Sequence, residues 1–386
     1  MANSNKQKKT LKILHVCGSH NRTGTEKVFL RLINAQMKLP GYEVLPLVAE
    51  NSWLAARLTE REIPHQTAPF KTGLKALFDK QTRGTIEETL AAFKPDVVQN
   101  WAGRWSRFIP RTPQPQVARM GLPMPKKYVK NADYVVCATD DVCQYLRKKG
   151  LPEAQTVHIP TIVNIPPKGF EDFRYDVRAE YGIPHEAHLV LLLGRLHESK
   201  GFDVALFALN TLPENVHMLI VGEGGEKPGL EDAVAVDDLG HRVHFAGWID
   251  NTSPIFAAAD SFLLPSRRQS SCNVILEAWA HKLPVISTDI PAARALVTDK
   301  EDGILIPPED ELAIARAVET LLADQKLQAS LAKAGEKHVL EVFAEKHIVD
   351  KYDALYKKAV KEGGAVKNKA RTRKNSGGGR ARKTTG

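Results

Sequence analysis

His188-Leu189-Val190-Leu191-Leu192-Leu193-Gly194-Arg195-Leu196-His197-Glu198-Ser199-Lys200-Gly201 is the stretch on which the fold turns. Residues 188–193 form an apolar run of strand length, and a strand covered on both faces reads as such a run. A glycine stops it, and a helical pattern, VALFALNTL, follows the loop. Strand, glycine loop and helix in that order open a βαβ unit. The loop carries two cations, Arg195 and Lys200, five residues apart. Arg can grip a diphosphate with its two-pronged guanidinium and Lys can add a point charge. The helix opening near Gly201 adds backbone N–H groups and its positive dipole end. Taken alone, the same residues also fit a solvated turn with two surface cations.

The pattern repeats on both sides. Toward the C-terminus, VHMLIVG, VHFAG, SFLLP and PVIST read as strands, with helices at 229–236 and 274–281 and a helical region from 307 to about 361. Toward the N-terminus, LKILHVC, EVLPLVAE, PDVVQ, QVARM and ADYVVCAT read as strands separated by helical segments. The Pro- and Gly-containing stretch 160–178 reads as a break between two such series. The chain is therefore expected to be α/β with two doubly wound Rossmann-like domains facing a central cleft. The expected boundaries are a flexible basic N-terminus at 1–10, a first domain at 11–168, a linker at 169–184 and a second domain at 185–344. A C-terminal helix at 345–362 packing back on the first domain and a disordered basic tail at 363–386 complete the expectation.

Further candidates lie at strand ends of the second half. Gly222 and Gly224 follow VHMLIV, and Gly247 and Trp248 follow VHFA. Glycines there let a ligand approach the backbone closely. The loop after SFLLP carries Gln269, Ser271, Cys272 and Asn273 and leads into a helix containing Glu277. A carboxylate in that apolar run needs a partner, either vicinal ribose hydroxyls or a cation of the fold. In the first half, the loop Arg22-Thr23-Gly24-Thr25-Glu26 could present N–H groups to a phosphate or sugar. No GxGxxG fingerprint is present, which disfavours a dinucleotide oxidoreductase.

Charge divides the chain. The net charge is +9, but residues 363–386 hold eight Lys/Arg and no acids. Residues 11–168 carry 23 basic and 13 acidic side chains, whereas 169–362 carry 20 basic and 32 acidic. The two halves thus face different partners, and the near-neutral body argues against a nucleic-acid-binding protein. Residues 101–150 hold ten Lys/Arg and three acids, Arg104 and Arg107 among them, beside Asn100 and Trp101. Such a face suits an anionic glycolipid or an anionic membrane leaflet, or is ordinary solvated surface. The four cysteines form no CxxC pair, consistent with buried thiols in a reducing compartment. No run reaches the roughly 18 apolar residues of a membrane span. The expected location is cytoplasmic, with peripheral contact to the inner face of the membrane through the basic N-domain face and the tail.

The motifs together resemble the group 1, or family 4, retaining glycosyltransferases of the GT-B fold, and are most similar to bacterial members that build lipopolysaccharide core or other surface glycans. GRLHESKG resembles their phosphate-binding G-R-x4-K-G, Gln269 through Glu277 their E-x7-E segment, VHFAGWID their base-binding strand and loop, and RTGTEKV their Gly-rich N-terminal loop. The resemblance implies transfer of a sugar, with retention, from a nucleotide-diphosphate sugar to a glycan or anionic glycolipid acceptor. It implies no cofactor and no metal. Arg195, Lys200 and Gln269 would act in catalysis. Gly24, Arg195, Lys200, Gly222, Gly224, Gly247, Trp248, Gln269, Ser271, Cys272, Asn273 and Glu277 would hold the donor, with Arg195 and Lys200 on the leaving diphosphate and Glu277 on the ribose. Asn100, Trp101, Arg104 and Arg107 would lie on the acceptor side. Three departures stand out: Gln269 replaces the family's first Glu, Ser270-Ser271-Cys272 replaces a glycine-containing loop, and Gln99-Asn100-Trp101 offers no His after PDVV. A catalytically degenerate sugar-nucleotide or membrane-binding relative acting as an assembly partner remains an alternative, with a sugar-nucleotide epimerase as a lesser one.

Overall fold

A computed structural model describes residues 10–269 and 271–363. The expected flexible N-terminus and basic tail lie almost wholly outside those residues. The chain divides into two compact units: unit 1 comprises the residues up to Ile162 and those from Ile348 onward, and unit 2 is Val163–His347.

Unit 1 holds β1 (Leu11–Cys17), β2 (Tyr42–Ala49), β3 (Gln66–Ala68), β4 (Val97–Trp101), β5 (Gln116–Met120), β6 (Tyr134–Cys137) and β7 (Thr156–His158). They form one parallel sheet in the order β3-β2-β1-β4-β5-β6-β7. Its helices are α1 (Gly24–Met37), α2 (Trp53–Glu60), α3 (Lys80–Phe93) and α4 (Asp140–Lys148). Apolar residues of β1, β2 and β4 are buried toward both faces, one set packing with α1 and α2 and the other with α3.

Polar residues in these central strands are buried too, and each finds a partner. Trp101 Nε1 donates to His15 Nδ1 at 3.1 Å. That fixes the proton on His15 Nε2, which donates to Gln36 Oε1 at 2.8 Å. Gln36 Nε2 donates to the Tyr356 hydroxyl at 3.4 Å, and that hydroxyl donates to Gln99 Oε1 at 2.9 Å. The chain of bonds ties β1, α1 and β4 to the C-terminal helix Glu345–Glu362. Arg119, also buried, reaches the Tyr352 hydroxyl of the same helix at 3.2 Å. Buried polar groups satisfied in this way specify one packing, because leaving any one unpaired costs about 1–3 kcal/mol.

Unit 2 holds β8 (His188–Leu193), β9 (Val216–Val221), β10 (Val243–Gly247), β11 (Ser261–Leu264), β12 (Val285–Thr288) and β13 (Ile304–Ile306). This sheet is also parallel, in the order β10-β9-β8-β11-β12-β13. Its helices are α5 (Arg174–Glu180), α6 (Phe202–Leu209), α7 (Lys227–Val236), α8 (Ser253–Ala258), α9 (Asn273–Ala280), α10 (Pro291–Arg294), α11 (Glu311–Ala323) and α12 (Gln325–His338).

The segment 169–184 is not a linker. Val177 and Ile183 are buried in the core of unit 2, and Arg178 is fully buried. The Arg178 guanidinium donates to the carbonyls of Ala258, Pro184, His185 and Ala187 and pairs with Asp260 at 2.6 Å. Asp260 accepts from Arg174 as well, also at 2.6 Å. Reading this stretch as loop-like rested on its prolines and glycines. It missed a cation whose partner lies 82 residues away. The change of unit falls instead between Ile162 and Val163.

Candidate functional site

In both sheets the strand order reverses beside the first strand of the unit, between β1 and β4 and between β8 and β11. Open parallel sheets bind ligands at such switch points, beyond the carboxyl ends of the strands. In unit 2 the loops leaving β8 and β11 are Gly194–Gly201 and Pro265–Cys272, the two stretches singled out above.

These loops are fastened to each other and to the loop after β9. Gly194 N donates to Val221 O at 3.0 Å, Leu196 N to Glu223 O at 3.0 Å, and Arg267 N to Ser199 O at 3.0 Å. The Arg267 guanidinium holds Asp203, at the start of α6, through two bonds of 2.8 and 2.7 Å. It also donates to Glu198 O at 2.8 Å and to Glu309 at 3.2 Å. Arg267 was not among the residues expected at the site. Nothing in the sequence ties it to a carboxylate 64 positions earlier.

The glycines serve this fastening. Gly222 has φ +144°, and a Cβ there would overlap the carbonyl oxygen of Gly194. Gly201, with φ +65°, would drive a Cβ into the Pro265 carbonyl. Gly224 lies equally close to the Leu196 carbonyl. Their first requirement is therefore contact between backbones of neighbouring loops. Gly247 ends β10 with its carbonyl accepting from Gly222 N at 2.8 Å, and the half-exposed Trp248 beyond it donates through Nε1 to Asp250 at 3.0 Å.

Within this frame Arg195 is exposed and makes no ion pair among the described residues. Lys200 is half-buried, and its Nζ donates to Gln269 Oε1. Ser266 Oγ donates to the same oxygen at 3.3 Å, and Gln269 Nε2 donates to the Ser271 carbonyl. The cation thus meets an oriented neutral amide. Burial, with the charge of neighbouring Arg195, holds the Lys200 ammonium below its usual pKa. Like charges set side by side without a compensating carboxylate form a site that favours an anion.

Cys272 is buried in the core of unit 2, where burial pushes its thiol up to about 12, so it stays protonated at neutral pH. Its buried side chain lies beside Lys200 and Gln269. Asn273 opens α9, and Glu277 is buried one turn later. Among the described residues no group of three or more His, Cys, Asp or Glu is placed to hold a metal ion.

In unit 1, Gly24 is the first residue of α1, behind a capping box of Thr23 and Glu26. Trp101 and Asn100, expected on the acceptor side, are buried instead: Trp101 packs in the core against Phe29. Asn100 Nδ2 donates to Ser106 Oγ at 3.0 Å and to Tyr128 O at 3.4 Å. Arg104 and Arg107 are exposed on the 3-10 turn Arg104–Phe108 that Asn100 anchors. No described helix is long and apolar enough to cross a membrane.

Residues 187–324 match the family described as Glycosyl transferases group 1. The lipopolysaccharide core biosynthesis glycosyltransferase LpsE of Rhizobium meliloti (strain 1021) is 33% identical over 261 residues, covering 67% of this chain and 75% of that protein. LpsD of the same organism, also a lipopolysaccharide core biosynthesis glycosyltransferase, is 27% identical over 91% of this chain and 99% of its own length. Among solved structures, Anabaena Alr3699/HepE in complex with UDP and glucose superposes with a TM-score of 0.75 at 18% identity, covering 89% of this chain and 99% of that one. That likeness is one of fold: two parallel-sheet Rossmann-like domains.

Proposed function

The chain belongs to the group 1 glycosyltransferases, and from that premise we propose that it transfers a sugar from a nucleotide-diphosphate donor, with retention, to a glycan or anionic glycolipid acceptor. The donor sits at the switch point of unit 2. The carrying observation is the pair of cations there that make no ion pair among the described residues: exposed Arg195, and Lys200 on the neutral Gln269 amide. A departing nucleoside diphosphate places its growing negative charge on those groups, and Lys200 is already oriented by Gln269, so less reorganisation is needed there as the glycosidic bond breaks. Glu277 holds the donor ribose and Gln269 a sugar hydroxyl. Because the two cations supply the charge stabilisation, the reaction proceeds without a metal. The relatives LpsE and LpsD support lipopolysaccharide core assembly as the setting.

The test is titration of the full chain with UDP, GDP, ADP and their sugars, read as thermal stabilisation. A ligand at a hundred times its Kd raises stability by about 2.7 kcal/mol. A shift with one nucleotide that disappears in Arg195→Ala is expected, followed by transfer giving a product with the donor's anomeric configuration and unaffected by EDTA. A well-folded protein that none of these ligands stabilises would overturn the reading.

A further inference from the structure

The two loops at the switch point of unit 2 gather positive charge in the acidic half of the chain. Residues 194–201 carry Arg195 and Lys200 with one acid, Glu198, and residues 265–272 carry Arg267 and Arg268 with none. Arg267 is taken up by Asp203 and Glu309. Arg195 and Arg268 are exposed and Lys200 is half-buried. None of these three forms an ion pair among the described residues, and neither does the exposed Glu198 carboxylate. Arg195 and Lys200 answer the diphosphate, which brings about two negative charges. Arg268 is left over.

Its place in the loop is fixed. Arg267 N and Arg268 N both donate to the Ser199 carbonyl, at 3.0 and 3.4 Å. Residue 268 is thereby pinned to the residue that precedes Lys200, and Gln269 follows it directly. What Gln269 has left to offer a ligand follows from its hydrogen bonds. Its Oε1 has two lone pairs, and it accepts from Lys200 Nζ and from Ser266 Oγ. Its Nε2 bears two hydrogens and spends one on the Ser271 carbonyl. One N–H remains without an acceptor among the described residues. A glutamate at this position would offer oxygens alone, which accept from hydroxyl groups and repel a second carboxylate. The amide offers the opposite: a hydrogen for an accepting group, with the unpaired Arg268 next to it in the chain. A hydroxyl oxygen can accept that hydrogen but gains nothing from the cation, whereas a carboxylate takes both.

We infer that the sugar of the nucleotide donor carries a carboxylate, as a hexuronic acid does, held by the Arg268 guanidinium and the remaining Gln269 N–H while Arg195 and Lys200 hold the diphosphate. The inference rests on the donor reading above and names the class of sugar within it. Gln269 in place of a glutamate then removes a repulsion that a uronate would meet, and Arg268 supplies the charge that a neutral hexose would leave unused.

The experiment titrates the full chain by calorimetry with the free diphosphates UDP, GDP and ADP and with matched neutral and uronate sugars. The pairs are UDP-glucose with UDP-glucuronate, UDP-galactose with UDP-galacturonate, GDP-mannose with GDP-mannuronate and ADP-glucose with ADP-glucuronate. On the nucleotide that binds, the uronate of at least one pair is expected to bind about tenfold more tightly than its neutral partner, an advantage that shrinks as salt rises. Arg268→Gln is expected to remove most of that ratio with Tm unchanged, since the side chain has no ion pair in the fold to lose. Arg268→Lys keeps the charge without the two-pronged grip and retains part of the ratio. Gln269→Glu is expected to reverse the preference, because the new carboxylate repels that of the sugar. A uronate bound no more tightly than its neutral partner in every pair, or a ratio unchanged in both Arg268→Gln and Gln269→Glu, would overturn the inference. Binding of a free diphosphate in the same titration would show that the donor reading survives that result. A well-folded chain that binds no diphosphate and no sugar nucleotide would bring down both.

Discussion

Arg267→Met tests the claim that the donor site is shaped by fastening two loops together. The native guanidinium is about one-fifth exposed, Asp203 about two-fifths and Glu309 about two-thirds. With those exposures the bidentate Asp203 pair contributes on the order of 1 kcal/mol after solvent screening, and the Glu309 contact only a few tenths. The bond to the Glu198 carbonyl adds about 1 kcal/mol. The expected destabilisation is therefore about 2 kcal/mol, which lowers Tm by roughly 4–8 °C in a unit of this size. The functional effect is larger than that global figure suggests. The lost side-chain bonds help to hold Glu198–Lys200 against the loop after β11, beside the backbone bond from Arg267 N to Ser199 O, so Lys200 is placed less firmly, and nucleoside diphosphate affinity is expected to fall by about tenfold. Arg267→Lys restores part of the stability and little of the affinity, because an ammonium cannot grip Asp203 and the Glu198 carbonyl together. The assay is a double-mutant cycle with Asp203→Asn, reading urea unfolding and UDP affinity in each variant. Coupling of about 1 kcal/mol between the two sites is expected. Additive stabilities, or an Arg267→Met protein that binds the nucleotide as tightly as the native one, would refute the reasoning.

Gly222→Ala forces an L-residue to φ +144° and a methyl group onto the Gly194 carbonyl; a loss of more than about 3 kcal/mol by denaturant unfolding is expected, against less than 1 kcal/mol for Gly225→Ala, where the space is open. Gln269→Glu places a carboxylate on Lys200 and is expected to weaken UDP about fivefold to tenfold, by isothermal titration, as one of the two cations becomes internally paired. Acid weakens the fold through buried histidines, two of them shifted furthest: burial lowers His15 to about 3, and burial with the charge of neighbouring His244 lowers His217 to about 4. Both are neutral in the native state and ordinary when unfolded, so their contribution is complete above about pH 6.5 and declines as pH falls toward those values, by at most about 1.4 kcal/mol per pH unit for each group. Unfolding free energies measured between pH 7 and pH 4 that do not decline, or a slope that His217→Gln leaves unchanged, would contradict this.

Much of the architecture is legible because parallel strands covered on both faces leave an apolar run that few other structures produce. LKILHVC, HLVLLL and VHMLIV each become a strand, and Gly194 and Gly222 mark where they end. What was not legible depends on pairing across long separations. Arg178 finds Asp260, and Arg267 finds Asp203, only once the sheet has brought them together. Trp101 and Asn100 were misplaced for a related reason. Beside Arg104 and Arg107 they read as part of a basic, aromatic surface, but β4 is a central strand, and its end residues turn into the core. The same ambiguity affected the glycines of unit 2, where room for a ligand and room for a neighbouring backbone leave the same residue in the sequence.

The two switch points carry different electrostatic logic, and that difference bears on Gln269. At the first, exposed cations line a cavity, and the nearby Asp79 accepts from backbone and hydroxyl groups. At the second, the half of the chain that forms the sheet is acidic, with 32 acidic against 20 basic side chains over 169–362. A cation pair set in such a unit survives as an anion site only if nearby acids are kept off it. Asp203, at the start of α6, is taken up by Arg267. The side chain that does contact Lys200 is an amide whose own N–H is spent on the Ser271 carbonyl. A carboxylate at 269 would answer the sugar hydroxyls but draw on Lys200 at the same time. On the proposed reading, the amide gives up that charge and leaves both cations for a diphosphate.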